Sequence, residues 1–282
     1  MQKERVSENV YWFQSDVYAQ VTAGAIIGPQ WAVLIDTLMP EETPEIKNFI
    51  ENELLVPVRY IVNTHHHADH SWGNCLFPNA TVIGHEICRE LMLERSQSAL
   101  AEAVKDDPLF RNLCIQEPSI TINKGSLYIK IGKKQIKIFS TPGHSDDSIS
   151  VLLEDDRILF SGDAFMPIPY FVGGDIDVLT QTIIDIGIMG LENIIQGHGD
   201  IVLRGEIENV TESHLDYLKS IRKIVKTAFR RKNPIEFLVS QSVEDSGKHR
   251  ISMGGLAQDL HVRNLQWLYL YELKKERSES KD

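Results

Sequence analysis

The chain has 282 residues, 42% of them hydrophobic, and a formal net charge of −11, which is long enough for one large domain or a domain with an appendage. That acidic balance argues against broad binding to nucleic acid or anionic membranes, which relies on clustered Lys and Arg, and no apolar run approaches the roughly 20 residues that cross a bilayer. Met1 to Asn9 lack the apolar stretch of a secretory signal, so a cytoplasmic protein is expected, and Cys75, Cys88 and Cys114 have no CxxC spacing, so neither a disulfide framework nor a cysteine zinc site is indicated.

In chain order, Val17 to Ile27 and Trp31 to Ile35 read as strands, and Glu41 to Leu54 as a helix, with Pro44 near its start and Ile46, Phe49 and Ile50 at helical spacing. Val58 to Asn63 reads as a buried strand that ends on Thr64-His65-His66-His67-Ala68-Asp69-His70. Metal-ligand side chains at 65, 67, 69 and 70 thus crowd into a loop just past a strand end, where a rigid scaffold can hold a chemical site. On a two-residue period His65 and His67 can turn toward one point, while Asp69 and His70 from the next bend could hold an adjacent point; the spacing suggests a pair of metals. His66 points the other way and is expected to brace the loop. A bare histidine tract would lie at a terminus and would not interleave an aspartate behind a core strand.

Strands are expected at Thr81 to Ile83, Leu127 to Ile131, Gln135 to Phe139, Ile149 to Leu153, Arg157 to Phe160 and Asn193 to Gln196, with helices over Glu86 to Val104 and Asp177 to Met189. Many strands with few helices between them point to an α/β architecture of two sheets with helices outside, rather than a Rossmann sheet. Three of these strands repeat the strand-then-ligand arrangement, ending at Pro142-Gly143-His144, Ser161-Gly162-Asp163 and Gly197-His198-Gly199. Glycine beside each ligand lets the side chain approach a crowded ion. From Glu206 the strand signals stop. Val210, Leu215, Leu218, Ile221 and Val225 form one apolar helical face, and Leu256, Leu260, Trp267, Leu268 and Tyr271 a second. The expectation is a body over residues 1–205 and a helical appendage over 206–282 that could support a homodimer, with Lys274 to Asp282 as a frayed charged tail. His85, His214, His249 and His261 read as surface or packing residues, and Thr64 and Ser145 as hydrogen-bond partners of the ligands.

Taken in order, the HxHxDH run, the His of the PGH turn, the Asp of the SGD turn and the His of GHG resemble the metallo-β-lactamase superfamily over residues 9 to 205. The resemblance implies a four-layer αββα sandwich in which His65, His67 and His144 bind one metal, Asp69, His70 and His198 a second, and Asp163 bridges them. Lactamases proper lack that bridging aspartate, whereas thioesterases like glyoxalase II and related lactonases carry it, so the chain looks like the hydrolase branch. Flavo-diiron proteins have a glutamate where His67 stands and a flavodoxin domain. Two divalent ions, zinc by preference and iron or manganese as alternatives, would lower the pKa of bound water to about 7. The expected chemistry is attack of a bridging hydroxide on a carbonyl of a small-molecule thioester, lactone or ester, with Asp69 orienting the nucleophile and shuttling its proton. A mononuclear iron persulfide dioxygenase and a phosphodiesterase or nuclease are the alternatives. Phe165 to Phe171 is expected to form an apolar wall over the metals, where Tyr170 could polarise a substrate oxygen as a tyrosine does in related lactonases. Ser145-Asp146-Asp147-Ser148 stands where many family members have another proline and glycine, which is expected to alter the rim of the site.

Overall fold

The computed structural model describes residues 1–279. Strands β1 (Gln2–Ser7), β2 (Val10–Gln14), β3 (Thr22–Ile27) and β4 (Ala32–Ile35) form an antiparallel meander. Helix α1 (Thr43–Lys47) runs on as a π-helical segment, Asn48–Glu53, and returns the chain to β5 (Val58–Val62), parallel to β4. The short helix α2 (Ala68–Ser71) leads to β6 (Thr81–His85); α3 (Glu86–Leu91) and α4 (Gln97–Asp106) follow, joined by a π-helical turn, and β7 (Ile120–Ile122) closes a seven-stranded sheet ordered β1 to β7. The second sheet contains β8 (Ser126–Ile131), β9 (Lys134–Ser140), β10 (Ile149–Leu153) and β11 (Ile158–Gly162). After α5 (Ile176–Gly187) come β12 (Asn193–Gln196) and β13 (Val202–Leu203), giving six strands in the order β13-β12-β11-β10-β9-β8. Helices α6 (Ile207–Ala228), α7 (Pro234–Val239) and α8 (Ala257–Glu279) complete the described chain.

Strand alternation builds the layers. On β4, Val33 and Ile35 turn inward and pack with Val62 against Ile136, Ile138, Val151 and Phe160 of the facing sheet, while Ala32 and Leu34 turn outward under Ile46, Phe49 and Ile50 of the α1 segment. On the far side Leu159, Leu179 and Ile183 share a core with Tyr217, Leu218 and Ile221 of α6 and Leu265 and Leu268 of α8. Two packed sheets with helices on both outer faces give the αββα sandwich, and the C-terminal helices lie against one face. Each fully buried aliphatic side chain contributes about 1.5–3 kcal/mol, so these three cores hold the sheet ends, and the loops on them, in place.

Several elements differ from expectation. The strand expected from Val17 begins at Thr22, because Ala19 and Gln20 both take left-handed backbone conformations, φ 49° and 52°, and turn Ser15 to Val21 into a tight loop. The β1–β2 hairpin lacks an alternating pattern because β1 is largely exposed. Helix α8 continues through Lys274 to Glu279, within the segment expected to be a tail; residues 280–282 of that expectation lie outside the described residues. No described helix is long and apolar enough to cross a membrane.

Candidate metal centre

The loops at one end of both sheets converge. His65 and His67 follow β5, Asp69 and His70 lie on α2, and His144, Asp163 and His198 follow β9, β11 and β12. Two groups result, His65, His67, His144 and Asp163 in one and Asp69, His70 and His198 in the other, and within each group the possible ligand atoms all lie within 4.8 Å of one another. Asp163 faces both. Its Oδ2 stands 3.7 Å from His65 Nε2 and 3.4 Å from His144 Nε2, while its Oδ1 stands 3.4 Å from His70 Nε2 and 3.5 Å from His198 Nε2. His198 Nε2 is also 3.5 Å from Asp69 Oδ2.

These separations have a simple chemical reading. An ion with tetrahedral bonds of about 2.1 Å places its ligand atoms about 3.4 Å apart. His70 Nε2 and Asp163 Oδ1 are buried and have no hydrogen-bond partner, which would be a severe penalty in an ordinary core. The donor set therefore fits divalent cations. Glycine makes the approach possible: a Cβ on Gly197 would fall 1.9 Å from Asp163 Oδ1, and one on Gly162, itself at φ +50°, 2.6 Å from the Thr64 side chain.

Each ring that faces the cluster through Nε2 is held by its other nitrogen. His144 Nδ1 donates to the Tyr170 carbonyl at 2.8 Å and His198 Nδ1 to the Ala19 carbonyl at 3.0 Å. His70 Nδ1 donates to Asp36 Oδ2 at 2.8 Å, and His65 Nδ1 meets Thr64 Oγ1 at 3.1 Å, whose hydroxyl donates in turn to Asp36 Oδ2 at 2.7 Å. Such partners leave the Nε2 lone pairs aimed inward. His67 alone presents Nδ1, 2.8 Å from His65 Nε2 and 3.2 Å from His144 Nε2.

The two groups differ electrostatically. Burial holds His65 and His144 below the usual imidazole range, and burial with His144 and His66 nearby takes His67 down to about 3, so these three stay neutral. Burial also opposes charge on His70 and His198, yet Asp163 beside both raises them above that range. Burial works against an ionised Asp163, but His198, His70 and His144 hold its carboxyl well below the carboxylate norm.

The sequence profile of the metallo-beta-lactamase superfamily matches residues 18–227, most of the chain. The chain belongs to the metallo-β-lactamase superfamily. It is 27% identical over 233 residues to the acyl-coenzyme A thioesterase MBLAC2 of Bos taurus, a match that covers 75% of this chain and 80% of that protein. It is 30% identical over 133 residues to a hydroxyacylglutathione hydrolase of Francisella philomiragia, covering 47% of this chain but only 42% of that relative's length. A metallo-beta-lactamase family protein from Thermus thermophilus superposes with a TM-score of 0.67 at 16% identity, over 92% of this chain and 93% of that one, which bears on the fold alone. Fold and His/Asp cluster together are those of the metallo-β-lactamase superfamily.

Around this superfamily cluster lies a cavity of about 310 Å³, lined by His67, Asp69, His144, Asp163 and His198 and, among others, by Tyr18, Met166, Tyr170, Leu256, Leu260 and Arg263. The expected apolar wall is narrower than Phe165 to Phe171: Met166 and Tyr170 line the cavity, whereas Phe165, Ile168 and Phe171 are buried in the core shared with the C-terminal helices. His66 braces the loop through Asp147, which accepts from the His66 backbone N–H at 2.8 Å and contacts its ring at 3.1 Å. Ser145 Oγ pairs with Ser148 Oγ at 2.8 Å and not with His144. His85 is buried and caps α3 by accepting from Ile87 N–H; His214 and His261 are buried among the C-terminal helices, and His249 is exposed. The sequence expectation lacked Asp36. It ends β4 as Asp163 ends β11, and a strand that stops on a lone acid was the available signal.

Proposed function

We propose that this chain is a dinuclear, zinc-dependent hydrolase that acts in the cytoplasm on a small thioester, lactone or ester. The observation that carries this reading is Asp163, with one carboxylate oxygen toward each histidine group. His65, His67 and His144 would hold one ion, and Asp69, His70 and His198 the other. When bound, two divalent ions would supply activated water at neutral pH and Lewis acidity toward a carbonyl. Asp69 lies at the cavity face with its side chain 14% exposed and its Oδ2 beside His198, where it can accept a proton from an attacking water and return it to a leaving group. Met166 and Tyr170 line the same cavity and add apolar surface beside the cluster.

The test is elemental analysis followed by a panel of thioesters, lactones and phosphodiesters. Two metals per chain with acyl hydrolysis support the assignment; a single iron with oxygen consumption on a persulfide would replace it by a dioxygenase, and phosphodiester cleavage alone by a nuclease.

Acid should separate the two ions. His70 and His198, raised by Asp163, must lose protons before they can ligate, so proton competition at their site grows as pH falls; the three depressed histidines are already neutral. Dialysis from about pH 8 to about pH 6 should take the metal content from two toward one per chain. Parallel loss of both ions would contradict this order.

A further inference from the structure

Arg263 lies on α8 one helical turn beyond Leu260, and both line the cavity that opens on the metal centre. Its guanidinium makes no hydrogen bond or ion pair with another described residue, although the cavity itself contains Asp69 and Asp163. The helix that presents it is fixed to the wall of the site. The neighbouring Asn264 is buried, donates to the Pro169 carbonyl at 2.8 Å and accepts from Phe171 N–H at 3.2 Å, on either side of Tyr170. Arg263 is thus a placed cation with unused donors in a chain of net charge −11.

Tyr18 joins the arrangement from the loop before β3. It precedes the left-handed pair Ala19–Gln20 in the loop whose Ala19 carbonyl orients His198. Backbone strain of this kind persists where the surrounding structure fixes it and gathers at functional sites. The Tyr18 ring, 45% exposed, lines the cavity within electrostatic reach of Asp69 and Asp163 as well as Arg263. It also lines a neighbouring cavity of about 570 Å³, together with Ala19, Met253 and Leu256, so the space continues past it. A planar guanidinium with free donors is suited to bidentate recognition of carboxylate or phosphate, and a phenol can add a third hydrogen bond.

We propose that Arg263 and Tyr18 form an anion-recognition subsite, so that the substrate of this cavity is an acyl compound that also carries a carboxylate or phosphate group. The assignment names the substrate class of the proposed hydrolase and so rests on that reading.

The test uses full-length, metal-loaded protein with three thioesters: S-lactoylglutathione, which carries carboxylates, acetyl-coenzyme A, which carries phosphates, and uncharged S-phenyl thioacetate. Arg263→Glu should raise KM about tenfold or more for at least one charged thioester with kcat within about twofold, leaving the uncharged one and the metal content unchanged. Arg263→Lys should restore part of the loss, and Tyr18→Phe should raise the same KM by a few-fold. The charged thioester affected tells carboxylate from phosphate. Equal loss on charged and uncharged thioesters, or no change on any, would overturn the subsite. Calorimetric binding of S-methylglutathione and desulfo-coenzyme A to wild-type and Arg263→Glu protein keeps the two readings apart. Binding that weakens about tenfold in the variant without any wild-type turnover upholds the subsite and refutes the hydrolase; turnover of the uncharged thioester without binding of either anion does the reverse.

Discussion

Asp163→Asn protein is expected to hold at most one metal per chain and to lose at least about three orders of magnitude in kcat/KM, or about 4 kcal/mol of transition-state stabilisation. The substitution keeps the volume but turns one carboxylate oxygen into an N–H donor. That donor must face either the His65/His144 side or the His70/His198 side, each now 3.4 to 3.7 Å from an oxygen acceptor. It also removes one of two carboxylates that offset the charge of two ions. The sandwich should persist, because the apolar cores do not include Asp163. Elemental analysis, circular dichroism and steady-state kinetics measure the three quantities, with His67→Ala as a parallel variant expected to behave alike. Wild-type turnover by either protein without metal would end the metal assignment.

Asp36→Ala should act through position instead of ligation. Asp36 accepts from Thr64 N–H at 2.8 Å, Thr64 Oγ1 at 2.7 Å and His70 Nδ1 at 2.8 Å, all buried. Removing the acceptor strands those donors in the core, which costs about 3–5 kcal/mol of folding stability, and frees the His70 ring, which should weaken metal binding about 10–100-fold. Denaturant unfolding of the metal-free protein gives the first quantity and chelator competition the second. Asp36→Asn should recover part of the stability because it retains one acceptor oxygen. If Asp36→Ala matched wild type in both measurements, the bracing role would fall.

The two variants also mark what could be read before the fold was known. The seven residues of the cluster stood out because each follows an apolar strand and four crowd into Thr64 to His70; strand ends are local events, so the pattern is local too. Tyr18 and Arg263 carry no such pattern, and Asp36, though it too follows an apolar strand, has no glycine or second ligand beside it to mark it. Asp36 meets His70 only because β4 and β5 pair in parallel, and Arg263 arrives from α8 through a tertiary contact made far along the chain. The Phe165 to Phe171 wall was misjudged for a related reason: apolar character does not say which side chain turns to the cavity and which to the C-terminal helices. The strand expected from Val17 failed where Ala19 and Gln20 turn left-handed, a conformation that their residue types do not announce.

The ends of the two sheets supply unlike shares of the centre. His65, His67, Asp69 and His70 hang from the seven-stranded sheet, and His144, Asp163 and His198 from the six-stranded one. Neither share closes a coordination set alone, and near this edge the sheets are joined by apolar packing and by a short series of hydrogen bonds: Ile149 N–H to the Thr64 carbonyl, Thr22 N–H to the Gly197 carbonyl, Gly199 N–H to the Gln20 carbonyl and His66 N–H to Asp147. A filled centre would add a rivet to a seam that these hydrogen bonds already stitch, so its removal would loosen the edge while the stitches and each sheet's own ladder stayed in place.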